Sequence, residues 1–393
     1  MNEILVHAKD LETAVTKFLQ DLVGIPSPSG KEKEVIGRIQ KEMETIGYEE
    51  IKVDGLGNLW GRIGKGPRVL VIDGHCDVVD VGNPDLWKTD PFGAQIKDGM
   101  IYGRGSCDQK GGVACAVYAG KILKEIGSPN DVTLWVTASV MEEDCEGLAW
   151  KYIIEEEKLK PDAVLITEPT NLNIYRGHRG RLEIKVKTEG VSCHGSAPER
   201  GVNAIYKMAP IIQEIEQLNS KLRDDPFLGK GSVTIAEVKS TSPSLCAVSD
   251  SCTIHLDRRL TAGETIESSL AEIRNLPSLE KNTAKVWVPE YRAASYTGMV
   301  YPMQSYFPTW VLEEDHPLLE TAGDSYNNLF DSHPKVDKWT FSTNGVGIMG
   351  LYQIPTMGFG PGNEVYAHSP DERIPIDHLV KATAFYAEFV RNF

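Results

Sequence analysis

The hydrophobic positions of this chain change period along its length. Residues 8–23 and 31–46 repeat apolar side chains at the spacing of amphipathic helices. Between them IPSPSGKE breaks the period, and Ser29 with Glu32 three positions on predicts a capped helix start. EEIKVDGLGNLWGRIGKG predicts a hairpin with glycine turns. RVLVIDGH, DVTLWVTASV and DAVLITEP are short apolar runs without alternation, as expected of strands covered on both faces. A small-residue helix opens over 111–120, after a glycine-rich loop. Strand, helix, strand, helix, strand predicts an α/β sheet with helices on both sides.

From about Arg179 the pattern turns to strict alternation. RLEIKVKTEG, SVTIAEVKS, DSCTIHLDRRL and AKVWVPEY predict antiparallel strands with one wet face. Helices are predicted over about 202–222 and 263–275. This pattern predicts an inserted α+β domain of four strands and two helices, spanning residues 179–293. Beyond it the α/β habit returns, so residues 1–178 and 294–393 are expected to form one catalytic domain in two parts.

Composition narrows the function. The chain has 393 residues, 41% hydrophobic and 25% charged, as in soluble globular proteins of two domains. No run approaches the ~18 apolar residues of a membrane helix. The N-terminus lacks a signal-peptide pattern, so a cytoplasmic location is expected. A net charge of −15 speaks against nucleic acid or an anionic membrane as partner. The seven cysteines include no CxxC pair, which disfavours a disulfide framework or a thiolate zinc site.

Candidate chemistry lies in five islands: GHCD, GRGSCDQKGG, MEED, TEP and AHSPDE. They carry His75, Asp108, Glu142, Glu143, Glu168 and His368. Three islands fall at or just past the C-terminal ends of the apolar strands, the edge where open α/β sheets bind ligands. His75 and Asp77 share a strand face, so the carboxylate can hold the imidazole's second nitrogen. Asp108 has two oxygens and can bridge two cations. Glu142 and Glu143 are adjacent and point apart, so one can bind metal while the other moves a proton. Burying unpaired carboxylates after an apolar run is costly, and a metal removes the cost.

With these islands in place, the chain resembles the M20 metallopeptidase/amidohydrolase family, which includes acetylornithine deacetylase, succinyl-diaminopimelate desuccinylase and carboxypeptidase G2. The likeness runs from IPSPSGKE to AHSPDERI and is nearest to the YgeY-type, selenium-metabolism-linked branch. It implies a zinc-exopeptidase-like catalytic sheet domain with an inserted lid that dimerises. It implies two divalent metals per chain, Zn²⁺ with Co²⁺ or Mn²⁺ as alternatives. His75, Asp108 and Glu168 would hold one metal, and Asp108, Glu143 and His368 the other. Asp77 would orient His75, and Glu142 would be the general base. The segment GVSCHGSAPERGVNAI implies that His194 reaches the active site of a partner in a homodimer. DRR matches the family's D-x-R and puts Arg259 in the role of substrate-carboxylate clamp, with Arg258 on the opposite strand face.

Two stretches depart from the family. CAVSD carries Cys246 where many relatives have Asn, and STNGVG replaces a G-T-D/S-D-type loop. Thr343, Asn344 and Gly345 are the backbone or side-chain contacts to substrate that loop would offer. The expected reaction is hydrolysis of the amide of a small N-acyl or N-carbamoyl amino acid or dipeptide with a free carboxylate. A hydroxide held between the metals would attack, with Glu142 as base. The alternatives are a dipeptidase or aminopeptidase of the same family, and a non-catalytic binding protein on this scaffold.

Overall fold

The three apolar runs without alternation lie side by side. In the computed structural model, which describes residues 2–393, Arg68–His75 runs parallel to both Val132–Ser139 and Ala163–Ile166. The hairpin Glu50–Val53 and Leu59–Ile63 extends this sheet antiparallel on one side. Thr356–Gly358, Ile174–Tyr175 and Val336–Asp337 complete its eight strands on the other.

Both faces are covered, which explains the unbroken hydrophobicity. Leu70, Ile72 and Leu165 pack into a core shared with helices Glu12–Val23, Lys33–Ile46, Gly111–Ile126 and Ile376–Asn392. Their neighbours Val71, Val164 and Ile166 face a second core built on Trp150, Trp310 and Trp339. Helix Gly111–Ile126 sits close to the strand ends. A Cβ on Gly112 would stand 2.5 Å from the Thr167 carbonyl oxygen, so only glycine allows the approach.

The expected helix over 8–23 is two helices, Glu3–Asp10 and Glu12–Val23, divided at Leu11. The next helix begins at Lys33 with Glu32 in the N-cap position. Ser29 does not cap it; its hydroxyl is engaged elsewhere, as described below. The long C-terminal helix Ile376–Asn392 was not expected from the sequence. Its buried Leu379, Phe385 and Phe389 fill the core against Gly111–Ile126.

The second sheet contains the four alternating segments in the order Ser232–Thr241, Ser251–Leu260, Gly180–Glu189, Lys285–Trp287. Leu182, Ile184 and Val186 point into a small core with Met208, Ile211 and Ile215 of helix Ala204–Lys221, while Arg181, Glu183 and Lys185 alternate outward. Helix Ile266–Arg274 and a short helix, Pro277–Lys281, complete the layer. A fifth strand comes from beyond residue 293: Tyr306–Phe307 pairs with Arg181 and Leu182. All seven cysteines are free. Among the described residues no helix is long and apolar enough to cross a membrane.

Candidate metal centre

Parallel strands end on one edge, and three of the islands follow from that. His75 closes its strand, Glu142 and Glu143 follow Val132–Ser139, and Glu168 lies just past Ala163–Ile166. Asp108 comes from the loop before helix Gly111–Ile126, where Gly105 has a φ of +83°. The peptide bond after Asp108 is cis. His368 arrives from the far end of the chain with a φ of +57°.

These six side chains converge. His75 Nε2 lies 3.1 Å from Asp108 Oδ1, 3.4 Å from Glu168 Oε1 and 3.7 Å from Glu142 Oε2. His368 Nε2 lies 3.3 Å from Asp108 Oδ2 and 2.9 Å from Glu143 Oε2. Asp108 therefore offers a different oxygen to each imidazole. Two donors ~2.1 Å from one tetrahedral ion stand ~3.4 Å apart, so most of these separations suit shared cations. The buried Oε1 of Glu142, Oε1 of Glu143 and Oε2 of Glu168 have no hydrogen-bond donor. Buried carboxylate oxygens without donors fit a divalent metal.

The electrostatics agree. Burial, reinforced by the charge of Asp108, pushes Glu168 up to about 8 and Glu143 up to about 7. Burial also holds Glu142 well above the ordinary carboxylate range. It opposes ionisation of Asp108 too, but hydrogen bonds from His368 and His75 prevail and hold that carboxyl low. The bonds to Asp108 and Glu143 push His368 up to about 10. Without a cation, the cluster retains protons that a metal would displace.

Around the donors stands a shell of hydrogen bonds. His75 Nδ1 faces the Asp77 backbone carbonyl at 3.0 Å, with the Asp77 carboxylate further off at 3.5 Å. This leaves Nε2 for a metal. The Asp77 carboxylate accepts the backbone N–H groups of Glu142 and Glu143, at 3.2 and 3.0 Å, and the Ser29 hydroxyl at 2.6 Å. Glu32 Oε1 accepts from Met141, whose φ is +60°, and from Gly30. The IPSPSGKE break thus braces the turn that presents the two glutamates. Its serine and glutamate read as a helix start because their distant partner is invisible to local pattern.

The donors open onto a cavity of about 360 Å³. Arg259 lines it, paired with Asp257 at 2.8 and 2.9 Å. Arg258 is buried on the other face, held by Glu264 and Glu272. Arg181, directly opposite Arg259 in the antiparallel register, also lines the cavity and was not expected from the sequence. It binds Glu146 and Glu183, and Glu146 accepts the Ser342 hydroxyl at 2.7 Å. Strand alternation puts Arg181 on the wet face, but only the register sets it beside Arg259.

The 342–347 loop reaches the cavity through Ser342, preceded by Phe341. Thr343, Asn344 and Gly345 are buried behind it. The Thr343 hydroxyl meets His178 Nε2. The Asn344 amide donates to Asp73 and Ser139 and accepts from the Gly147 N–H, so its polar atoms are used. Gly345 packs on the Trp310 ring. The side-chain polar groups of Thr343 and Asn344 are thus engaged within the protein. His194 and Cys246 lie away from this cavity, in an exposed groove of the second sheet's domain. There His194 Nδ1 lies 2.7 Å from the Ser196 hydroxyl.

An α/β sheet with these donors gathered at its strand ends has the make-up of a metal-binding centre. The chain belongs to peptidase family M20/M25/M40, whose model matches residues 71–392. It is 52% identical over 384 residues to "Uncharacterized protein YgeY" of Escherichia coli K12, covering 98% of this chain and 95% of that protein. It is 28% identical over 339 residues to N-formyl-4-amino-5-aminomethyl-2-methylpyrimidine deformylase of Bacillus subtilis, covering 82% and 78%. The fold matches the crystal structure of aminopeptidase PepT from Bacillus cereus with a TM-score of 0.73 at 20% identity, over 97% and 98% of the two chains. The protein is an amidohydrolase or peptidase acting on C–N bonds.

Proposed function

We propose that the protein hydrolyses the amide of a small N-acyl or N-carbamoyl amino acid or dipeptide carrying a free carboxylate. The observation that carries this reading is Asp108, whose two oxygens face two different imidazoles at 3.1 and 3.3 Å. His75, Asp108 and Glu168 would hold one divalent metal, and Asp108, Glu143 and His368 a second. The mixed imidazole and carboxylate donors suit Zn²⁺, with Co²⁺ or Mn²⁺ as alternatives. Such metals supply Lewis acidity that activates water and polarises a carbonyl.

Glu142 acts as general base. Of the three carboxylates facing His75 Nε2 it stands furthest away, at 3.7 Å. It takes the proton of the attacking water and delivers it to the leaving nitrogen. Arg259, whose Nε and Nη2 are held by Asp257, pairs with the substrate carboxylate through the remaining Nη edge of its planar fork.

The functional unit is a homodimer through the domain of residues 179–293, which acts as a lid on the body formed by 1–178 and 294–393. Tyr206 and Leu245 expose apolar side chains in the groove that holds His194, which supports this. Ser232–Thr241 is also an edge strand. His194 of one subunit then serves as oxyanion donor in the other. The test is turnover of matched N-acyl, N-carbamoyl and dipeptide substrates by metal-reconstituted protein. Two bound metals with no hydrolysis of any of them would refute the reading.

A further inference from the structure

Glu372 ends the AHSPDE island, and nothing above gives it a task. It is completely buried. Its Oε1 accepts the backbone N–H groups of Cys107 and Asp108, both at 2.9 Å. Its Oε2 accepts from the Gly105 N–H at 3.1 Å and from Arg104 Nη1 at 2.7 Å. Its own carbonyl accepts the Gly103 N–H at 2.9 Å. One side chain thus collects four donors from the loop that delivers the bridging aspartate.

The other end of the connection is His368, four residues upstream of Glu372. The intervening turn is anchored again at Asp371, whose carboxylate accepts the Lys88 N–H at 2.7 Å. His368 and Asp371 both take left-handed backbone, with φ of +57° and +58°. Such residues persist only where neighbours hold them. The clamp at Glu372 therefore ties the segment carrying His368 to the loop carrying Asp108. Those two ligands stand 3.3 Å apart.

We infer that Glu372 is a positioning residue for the metal pair: it orients the bridging carboxylate of Asp108 and sets its distance from His368, so affinity at both metal positions depends on it. This rests on the two-metal reading. Groups that orient metal ligands typically change metal affinity by about 10- to 100-fold when altered. Glutamine cannot satisfy the clamp. Whichever way its amide turns, an NH₂ group meets a donor. Aspartate keeps the charge but is one methylene short of spanning Arg104 and the Asp108 N–H together.

The experiment is zinc binding by competition with a chromophoric chelator, on folded protein well below its melting temperature, for wild type, Glu372→Gln and Glu372→Asp. The expected result is about 10- to 100-fold weaker binding of both equivalents in each variant. A clamp that only stabilises the fold would lower the melting temperature of the metal-stripped variants and leave zinc affinity unchanged, and that result overturns the inference. If Glu372→Gln does not fold, Glu372→Asp decides alone: wild-type affinity there overturns it. A wild-type protein that takes up fewer than two zinc ions would instead bring down the two-metal reading itself.

Discussion

Asp108 Oδ2 stands 3.3 Å from His368 Nε2, while Oδ1 of the same carboxylate stands 3.1 Å from His75 Nε2. A shared ligand and an unshared one should behave differently on removal. Asp108→Ala is expected to abolish both metal equivalents, whereas His368→Ala should lose one and keep the other. Metal analysis after dialysis checks this. Equal loss in the two variants would contradict a bridging role for Asp108.

Glu142 is expected to be dispensable for metal and essential for turnover. Glu142→Ala should bind wild-type metal while kcat falls by about 10²- to 10⁴-fold, the usual contribution of general acid–base catalysis. Retained turnover would remove Glu142 from the role of base.

Arg259→Ala should lower kcat/KM for a carboxylate-bearing substrate by about 10- to 100-fold, the worth of a charge-assisted hydrogen-bonded contact. The matched carboxamide substrate should be nearly indifferent to the change. Parallel losses on both substrates would place Arg259 outside carboxylate recognition.

Metal-stripped protein should lose stability as pH rises. Glu143 and Glu168, at about 7 and about 8 in the fold, ionise near ~4.3 when unfolded. Between those values the native state binds more protons, so their stabilisation is full at low pH and is lost as pH rises through 7 to 8. His368, raised to about 10, adds a loss of the same sign at higher pH. Asp108, held low, acts oppositely but only as pH falls below ~3.9. Melting of EDTA-treated protein should therefore occur at least ~2 °C lower at pH 8.5 than at pH 6, and saturating metal should abolish the difference. A higher melting point at pH 8.5 in EDTA would contradict the proton-loaded cluster.

His194 and the metal cavity lie apart within one chain, so the homodimer reading predicts complementation. Glu142→Ala and His194→Ala are each expected to be inactive. Mixed and allowed to exchange subunits, they should recover roughly a quarter of wild-type activity, because hybrid dimers assemble one complete site. No recovery in demonstrated hybrids would mean that His194 does not act across the interface.

Much of this was legible in the sequence because burial on both sheet faces leaves an unbroken apolar run. RVLVIDGH, LWVTASV and AVLIT announce strands covered on both faces, and position at their ends announces His75, Glu142, Glu143 and Glu168. What stayed hidden depended on partners far along the chain. Ser29 resembles a helix cap until Asp77 is seen beside it. Arg181 is one of several wet-face residues until the register sets it against Arg259. Thr343 and Asn344 resemble loop contacts, but Asp73, Ser139 and His178 occupy their polar groups from below.

The measurement that tests the central claim most directly is a metal titration of stripped protein, with free amine released from an N-acyl amino acid as the readout. The account predicts two equivalents of divalent metal bound per chain and hydrolysis that reaches its maximum only as the second equivalent is taken up. Full activity with a single equivalent bound, or no activity with two, would contradict it.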